Sequence, residues 1–233
     1  MNVVITGASR GIGKAIATQF GAHGHNLFLN ARTEETLLET AEELRTRFPN
    51  IRVESMAADL SQKAGAQLFG QWVIATAGTI DVLVNNTGTF TPGGIATEPD
   101  GALEHMLSTN LFSAYHVTRS LLPHMMEAKS GHIFTICSIA SLAAYPNGGA
   151  YSISKFALLG FSRNLREELK PHNIKVTSVL PGAVYTDSWN GSGVAEERIM
   201  KPEDVAQLIY ATTQLSYAAT VEELVLRPQL GDL

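Results

Sequence analysis

The sequence lacks what several classes of protein require. One cysteine, Cys137, cannot close an internal disulfide or anchor a metal cluster, and the seven histidines show no metal-ligand spacing. No apolar run approaches the ~20 residues of a membrane span, and Met1 leads into a short apolar segment without the basic region of a signal peptide. We therefore expect a soluble, cytoplasmic protein that has no metal site and no membrane partner.

Charge is also scarce. Charged residues make up 17% of the chain and the net charge is −5, which gives no support for nucleic-acid binding. Hydrophobic residues make up 45%, enough for a substantial core. The long helical stretches at about 101–126 and 149–170 are apolar on more than one face, and such helices must bury the second face. Both features predict a homodimer or homotetramer.

Short apolar runs alternate with helical periodicity along the whole chain. The predicted strands are residues 3–6, 26–30, 51–57, 81–84, 132–138, 174–180 and 223–227. The predicted helices follow residue 13 and then span 34–48, 62–77, 101–126, 149–170 and a stretch from 202. This alternation implies a doubly wound α/β fold, with a parallel sheet between two helical layers. No linker interrupts it, so residues 1–233 form one domain.

Sheets of this kind bind ligands beyond the carboxyl ends of their strands, where the strand order reverses. Several polar or glycine-containing segments fall at such ends, which predicts one shared site. They are residues 7–13, Asp59, residues 85–88, Ser138 and residues 181–182.

A glycine-rich turn follows the first strand. Gly7, Gly11 and Gly13 are not spaced as in the usual G-x-G-x-x-G fingerprint, and glycines alone can form a simple tight turn. Between a strand and a helix, however, such a turn favours pyrophosphate binding, because the helix offers unpaired N–H groups. Ser9 and Ile12 belong to the same predicted cofactor-binding turn.

Two arginines predict which dinucleotide binds. An NAD site would place an acidic residue at the end of the second strand, but none occurs there before Glu34. Arg10 and Arg32 instead offer guanidinium groups suited to a phosphate. The alternative is that both are solvated surface charges. We expect NADP(H) rather than NAD(H).

The ends of the third and fourth strands carry further candidates. Asp59, followed by Leu60, can hydrogen-bond an adenine amino group or cap the next helix, and the two roles are compatible. Asn85, Asn86 and Gly88 can brace the turn beneath a cofactor or form a local Asx turn.

The proton-transfer chemistry is predicted on the helix at 149–170. Tyr151 and Lys155 lie four residues apart and therefore on one face, where a nearby ammonium would lower the pKa of the phenol. Ser138 can hold a substrate oxygen beside the tyrosine, with Ser141 as a rival. Asn110 is a mid-helix asparagine, which suggests a buried polar role.

Together these residues resemble the motifs of the short-chain dehydrogenase/reductases, in the right order over nearly the whole chain. The matching positions are Thr6-Gly7-x-x-x-Gly11-x-Gly13, Asp59, Asn85-Asn86-x-Gly88, Asn110, Ser138, Tyr151-x-x-x-Lys155 and Pro181-Gly182. The resemblance implies a Rossmann sheet of seven parallel strands, an NAD(P)(H) cofactor and oxidoreduction between a carbonyl and an alcohol.

The same resemblance assigns roles to single residues. Tyr151 becomes the acid/base, Lys155 its pKa-lowering partner and a ribose ligand, and Ser138 the residue that orients the substrate oxygen. Asn110 would hold a water that links Lys155 to solvent, and Thr186 would contact the nicotinamide carboxamide or the diphosphate. Arg10 and Arg32 match the basic positions of NADP-dependent members.

The resemblance also limits the substrate. Thr87 replaces the alanine of the family's Asn-Asn-Ala-Gly motif, and the C-terminus lacks the glycine pair common in 3-oxoacyl-carrier-protein reductases. The chain is more similar to members that act on small or medium ketones, aldehydes or hydroxy acids. A 3-oxoacyl-carrier-protein reductase and a non-catalytic NADP-binding sensor or scaffold are the alternatives. Residues 183–200, with Tyr185 and Trp189, form the predicted substrate loop.

Overall fold

The structure is a computed structural model that describes residues 1–186, 189 and 193–233. Its strands are β1 Asn2–Ile5, β2 Asn26–Ala31, β3 Val53–Ala57, β4 Val82–Asn85, β5 Gly131–Ile136, β6 Ile174–Pro181 and β7 Glu223–Leu226. They form one sheet in the order β3-β2-β1-β4-β5-β6-β7, in which every neighbouring pair is parallel. The predicted doubly wound seven-stranded sheet is confirmed.

The helices agree with the prediction except in one place. They are α1 Gly11–Ala22, α2 Glu34–Arg47, α3 Lys63–Ala77, α4 Ala102–Met106, α5 Ser113–Ala128, α6 Gly149–Leu169 and α7 Pro202–Thr213. The stretch predicted as one helix at 101–126 is divided by a π-helical segment, Leu107–Phe112. Periodicity did not reveal it, because a π turn adds a single residue to an otherwise helical pattern.

Two hydrophobic cores lie on opposite faces of the sheet, because successive strand side chains point to opposite sides. Val3 and Ile5 pack with residues of α1, α2 and α7, whereas Val4 packs with residues of α3, α5 and α6. The five inner strands are largely buried on both faces, which explains their continuous apolar sequence. Cys137, 2% exposed, lies in a smaller cluster, where burial raises the pKa of its thiol to about 12.

The strand order reverses between β1 and β4. The chain leaves β1 to one side toward β2 and β3, and leaves β4 to the other side toward β5, β6 and β7. The carboxyl ends of β1 and β4 therefore flank the crevice where doubly wound sheets bind ligands. Among the described helices, none combines the length and apolar character of a membrane span.

Candidate active site

The glycine-rich turn after β1 has no room for side chains at its key positions. Gly7 and Gly11 adopt φ angles of 63° and 53°, in the left-handed region that favours glycine. A Cβ on Gly13 would lie 2.2 Å from the carbonyl oxygen of Gly7, and one on Gly11 would lie 3.1 Å from Cγ2 of Thr186. The turn therefore forms a close backbone cradle at the start of α1, with Thr186 beside it.

A side-chain amide braces this cradle from the neighbouring strand. Nδ2 of Asn86 donates to the carbonyl oxygens of Thr6 and Gly7, each at 2.9 Å. Oγ1 of Thr6 accepts the backbone N–H groups of Asn86 and Thr87, each at 3.0 Å. These bonds join the ends of β1 and β4. Of the two roles that the sequence left open for Asn86, the structure shows the brace.

The cradle fits the diphosphate of a dinucleotide. The first backbone N–H groups of α1 follow Gly11 directly, and the helix N-terminus is positive. Ile12 packs against the core, and the carbonyl of Ser9 accepts a 2.9 Å hydrogen bond from Thr40, so both residues fix the turn from behind.

The two arginines lie at the carboxyl ends of adjacent strands. Arg10 immediately precedes α1 and Arg32 follows β2, and both are exposed. Asn30 secures this edge, because its amide donates to the carbonyls of Met56 at 3.0 Å and Ala58 at 3.2 Å. No acidic side chain intervenes between the end of β2 and Glu34.

At the end of β3, the structure refines the prediction for two residues. Asp59 does not cap α3 itself, which begins at Lys63; its Oδ1 accepts the backbone N–H of Ser61 at 3.0 Å and the Ser61 hydroxyl at 2.7 Å. Leu60 is 3% exposed and its side chain belongs to the core. Any cofactor contact by Leu60 therefore has to come from its backbone. A contact of Asp59 with adenine stays a prediction.

Ser138 lies two residues beyond β5, not within the strand as predicted, and begins a short 3-10 turn, Ile139–Ser141. Its Oγ accepts the N–H of Ala140 at 3.1 Å, while its own N–H donates to Oγ of Ser141 at 3.2 Å. Ser141, the rival candidate, thus holds Ser138 in place. The 3-10 turn lies against α6, because the Ser152 hydroxyl donates to the Ala140 carbonyl at 3.1 Å, and the hydroxyl of Ser138 lowers the pKa of the Tyr151 phenol.

Lys155 is buried behind the tyrosine. Its Nζ donates to the carbonyl oxygen of Ile136 at 2.9 Å and lies 5.9 Å from the centroid of the Tyr151 ring. Burial lowers the pKa of Lys155 to about 8, against a smaller opposing effect of Cys137.

The predicted net shift of Tyr151, a lowered pKa, is wrong for the protein alone. Burial raises the pKa of Tyr151 above its ordinary value, and the hydroxyl of Ser138 offsets only part of this effect. That Lys155 favours the phenolate stays a prediction. The ammonium of Lys155 donates to the Ile136 carbonyl and lies 5.9 Å from the centroid of the Tyr151 ring. At neutral pH Tyr151 therefore keeps its proton.

Asn110 connects the elements around this pair. It lies fully buried in the π-helical segment, donates from Nδ2 to the carbonyl of Thr89 at 3.1 Å and to Oγ of Ser154 at 2.9 Å, and accepts the N–H of Thr89 at 2.7 Å. Ser154 in turn donates to the carbonyl of Tyr151 at 2.7 Å. The π turn, a feature frequent at functional sites, presents this asparagine to α6.

Gly88 lies against both Asn110 and Lys155. A Cβ at this position would lie 3.2 Å from Oδ1 of Asn110 and 3.6 Å from Nζ of Lys155. The structure therefore brings Gly88, Asn110, Ser138, Tyr151 and Lys155 together at the mouth of the sheet.

Three neighbours of the site were missed by sequence reasoning. Phe90 packs edge-on against the ring of Tyr151, with centroids 4.8 Å apart and an interplanar angle of 81°, and is 44% exposed. Glu98 contacts the start of α6. Ser154 lies three residues after Tyr151, so helical spacing could have found it. Phe90 and Glu98 lie in an irregular segment without a periodic pattern.

The predicted substrate loop is closed at its base. Val184 pairs with Met200, and the N–H of Tyr185 donates to the carbonyl of Met200 at 2.8 Å. Gly182 donates to Leu226 at 2.8 Å, just after Pro181 ends β6. Trp189 is half-buried. The sequence also indicates Gly191, Ser192 and Gly193 as flexible points of this loop, and the first two lie outside the described residues.

The chain resembles known proteins over its whole length. It is 32% identical to sepiapterin reductase of Chlorobaculum tepidum over 239 aligned residues, which cover 99% of this chain and 97% of that one. It is also 32% identical to the 3-oxoacyl-[acyl-carrier-protein] reductase of Chlamydia muridarum, with 92% and 91% of the chains covered.

Solved structures share the fold. The alcohol dehydrogenase from Thermococcus sibiricus, complexed with 5-hydroxy-NADP, superposes with a TM-score of 0.90 at 29% identity, covering 98% of this chain and 96% of that one. L-sorbose reductase from Gluconobacter frateurii, complexed with NADPH and L-sorbose, gives 0.88 at 28% identity, with 97% and 94% covered. The family model for short chain dehydrogenases matches residues 1–196, and the chain therefore belongs to the short-chain dehydrogenase/reductase family.

Proposed function

We propose that the protein is an NADPH-dependent reductase that converts a carbonyl group to an alcohol, and catalyses the reverse reaction when oxidised cofactor and alcohol are supplied. The observation that carries this proposal is the cluster of Ser138, Tyr151 and Lys155 at the same end of the sheet as the glycine cradle. Relatives with this fold are complexed with NADP or NADPH.

The chain would hold the cofactor mainly through backbone. The cradle at Gly7, Gly11 and Gly13 receives the diphosphate, with Thr186 beside it. Arg10 and Arg32 bind the 2′-phosphate through charge-assisted hydrogen bonds. When bound, NADPH supplies the hydride.

The protein's own residues supply the proton. Tyr151 and Ser138 hydrogen-bond the substrate oxygen, where negative charge develops in the transition state and preorganised donors are most effective. Tyr151 then gives up its proton, which its raised pKa retains at neutral pH. The cation of Lys155 stabilises the resulting phenolate through space. Asn110 holds a water that returns a proton from solvent.

Aromatic and apolar side chains suit a medium-sized ketone. Phe90 lies against Tyr151 and is 44% exposed, while Leu142 and Tyr145 are 39% and 40% exposed. Burial, and to a smaller extent the charge of Tyr151, raises the pKa of Tyr145 to about 12. With residues 183–200 they would form a partly hydrophobic substrate pocket.

A carbonyl panel tests the function directly. Purified protein is assayed for NADPH oxidation with aliphatic and aryl ketones, semialdehydes, quinones and a 3-oxoacyl thioester presented both on pantetheine and on acyl-carrier protein. Turnover of a free ketone is expected. Turnover of the carrier-bound thioester alone would replace this proposal with the acyl-carrier alternative, and NADPH binding without any turnover would favour a sensor.

The choice of NADPH over NADH is tested by Arg32→Ala. Because hydrogen bonds to charged groups contribute about 1.5–3 kcal/mol, we expect the Kd for NADPH to rise roughly ten- to hundredfold, with the Kd for NADH unchanged. Arg52→Ala, at the opposite end of the sheet, is the matched control. Equal effects of the two substitutions on NADPH binding would contradict the assignment.

We also infer that a second copy of the chain covers α6 and the π-helical segment. Phe112, Ile153 and Phe156 are 44%, 42% and 44% exposed on these neighbouring elements. Sedimentation should show a dimer or tetramer that Phe156→Glu dissociates. A monomeric wild-type protein would exclude this interface.

A further inference from the structure

We infer that Glu98 is a positioning residue: it fixes the segment that holds Phe90 against Tyr151 and thereby sets substrate selectivity. The selectivity part rests on the proposed function. We use the term wall segment for residues 90–98, which lie between β4 and α4. The carboxylate of Glu98 accepts the backbone N–H of Ala150 at 3.1 Å. Ala150 lies in the first turn of α6, directly before Tyr151.

The wall segment is bound to this helix start by backbone as well. The N–H of Gly93 donates to the carbonyl of Asn147 at 3.0 Å, just before α6. Gly149 has a φ of +34°, and a Cβ there would lie 2.4 Å from the carbonyl oxygen of Gly93 and 2.6 Å from Oε2 of Glu98. The contact thus depends on a glycine, which lets the two segments approach this closely.

The chemistry of the contact favours a carboxylate. The first N–H groups of a helix lack intrahelical acceptors, and the helix dipole stabilises a negative charge there. Glu98 supplies both an acceptor and a charge from a distant part of the chain. Two further bonds hold its own position, because the N–H groups of Thr97 and Glu98 donate to Gly94 at 2.9 Å each.

The same segment carries Phe90, whose ring packs edge-on against Tyr151. Glu98 therefore anchors one end of a short segment whose other end contacts the phenol. If the anchor is removed, the ring loses its fixed place beside the reacting oxygen. A substrate that packs on this ring should lose affinity, whereas a small ketone that does not reach it should be less affected.

The test compares Glu98→Ala, Glu98→Gln and the control Asp100→Ala, an exposed acidic residue close by. In Glu98→Ala we expect KM for an aryl ketone to rise about tenfold, because about one charge-assisted hydrogen bond is lost. The change for a short aliphatic ketone should be smaller. The Kd for NADPH should stay within about twofold. Glu98→Gln keeps an acceptor oxygen and should recover most of the aryl-ketone KM.

A second readout does not depend on activity. Hydrogen exchange at the start of α6, residues 149–153, should speed up in Glu98→Ala and return toward wild type in Glu98→Gln. If wild type reduces no carbonyl, the proposed function fails while this exchange result still tests the anchor. Unchanged exchange overturns the anchor, and an equal rise of KM for all ketones overturns the selectivity role.

Discussion

The two halves of the site lie at the same end of the sheet, but one is formed by backbone atoms and the other by side chains. The glycine cradle consists of backbone atoms. Gly7 and Gly11 have left-handed φ angles, and Gly13 lies so close to the Gly7 carbonyl that a Cβ would not fit. The start of α6 acts through side chains: Tyr151 is half-buried, Lys155 is buried, and both have shifted pKa values. In the proposed function, the cradle binds the phosphates of the cofactor, whereas the start of α6 performs proton transfer.

The difference predicts two kinds of mutational failure. A substitution of a cradle glycine adds a side chain where none fits or strains the backbone. It should therefore reduce cofactor binding and stability together. A substitution of a reactive side chain at the start of α6 removes a group that takes part in the proposed reaction, and should reduce turnover while cofactor binding persists.

The largest effect is expected for Tyr151→Phe, which removes the proton donor while retaining the ring and its packing against Phe90. General-acid contributions are typically ~10² to 10⁴-fold, so kcat should fall by about that factor. The Kd for NADPH, measured by fluorescence titration, should change less than about threefold. Wild-type turnover in this variant would remove Tyr151 from the mechanism.

Gly13→Ala should cause the opposite pattern. Its Cβ would meet the carbonyl of Gly7 at 2.2 Å and Nδ2 of Asn86 at 2.5 Å, so the cradle must shift. Overpacking typically costs ~1–3 kcal/mol, and we expect a lower Tm with NADPH affinity reduced at least about tenfold.

Gly160→Ala is the matched control for this substitution. Gly160 lies in α6, and a Cβ there would have nothing within 4 Å. Alanine in a helix interior is favoured over glycine by about 1 kcal/mol, so Tm should hold or rise with NADPH binding unchanged. Tight NADPH binding by Gly13→Ala would show that the cradle does not hold the diphosphate.

The smallest effect concerns pH. Burial lowers the pKa of Lys155 to about 8, so its ammonium is complete below that pH and is lost as pH rises through it. Tyr151, whose pKa is raised, keeps its proton over this range. We expect kcat/KM for carbonyl reduction to decline above about pH 8, by roughly tenfold per pH unit.

Lys155→Arg provides the control for that decline, because arginine stays protonated throughout. Its activity should be lower, since a guanidinium does not reproduce the ammonium's bond to the Ile136 carbonyl. The alkaline decline, however, should disappear. A decline at the same pH in both proteins would assign it to another group.

Much of the site was predictable because its signals are local. Tyr151 and Lys155 lie at helical spacing, and the glycines at 7, 11 and 13 stand between a strand and a helix. Strand-end positions were also predictable, since parallel strands bring their carboxyl ends to one edge. The direction of the Tyr151 pKa shift was not, because it depends on burial by segments distant in sequence.

The sequence by itself determined the parallel sheet and the place of the crevice, and it indicated the residues that we propose to bind phosphate and carry a proton. Periodicity and turn chemistry act over a few residues and can be read along the chain. Only the tertiary structure decided that Ser141 supports Ser138, that a π turn brings Asn110 to Ser154, and that Phe90 and Glu98 contact the start of α6. Those contacts join residues from separate elements, and no local pattern encodes their distance or direction.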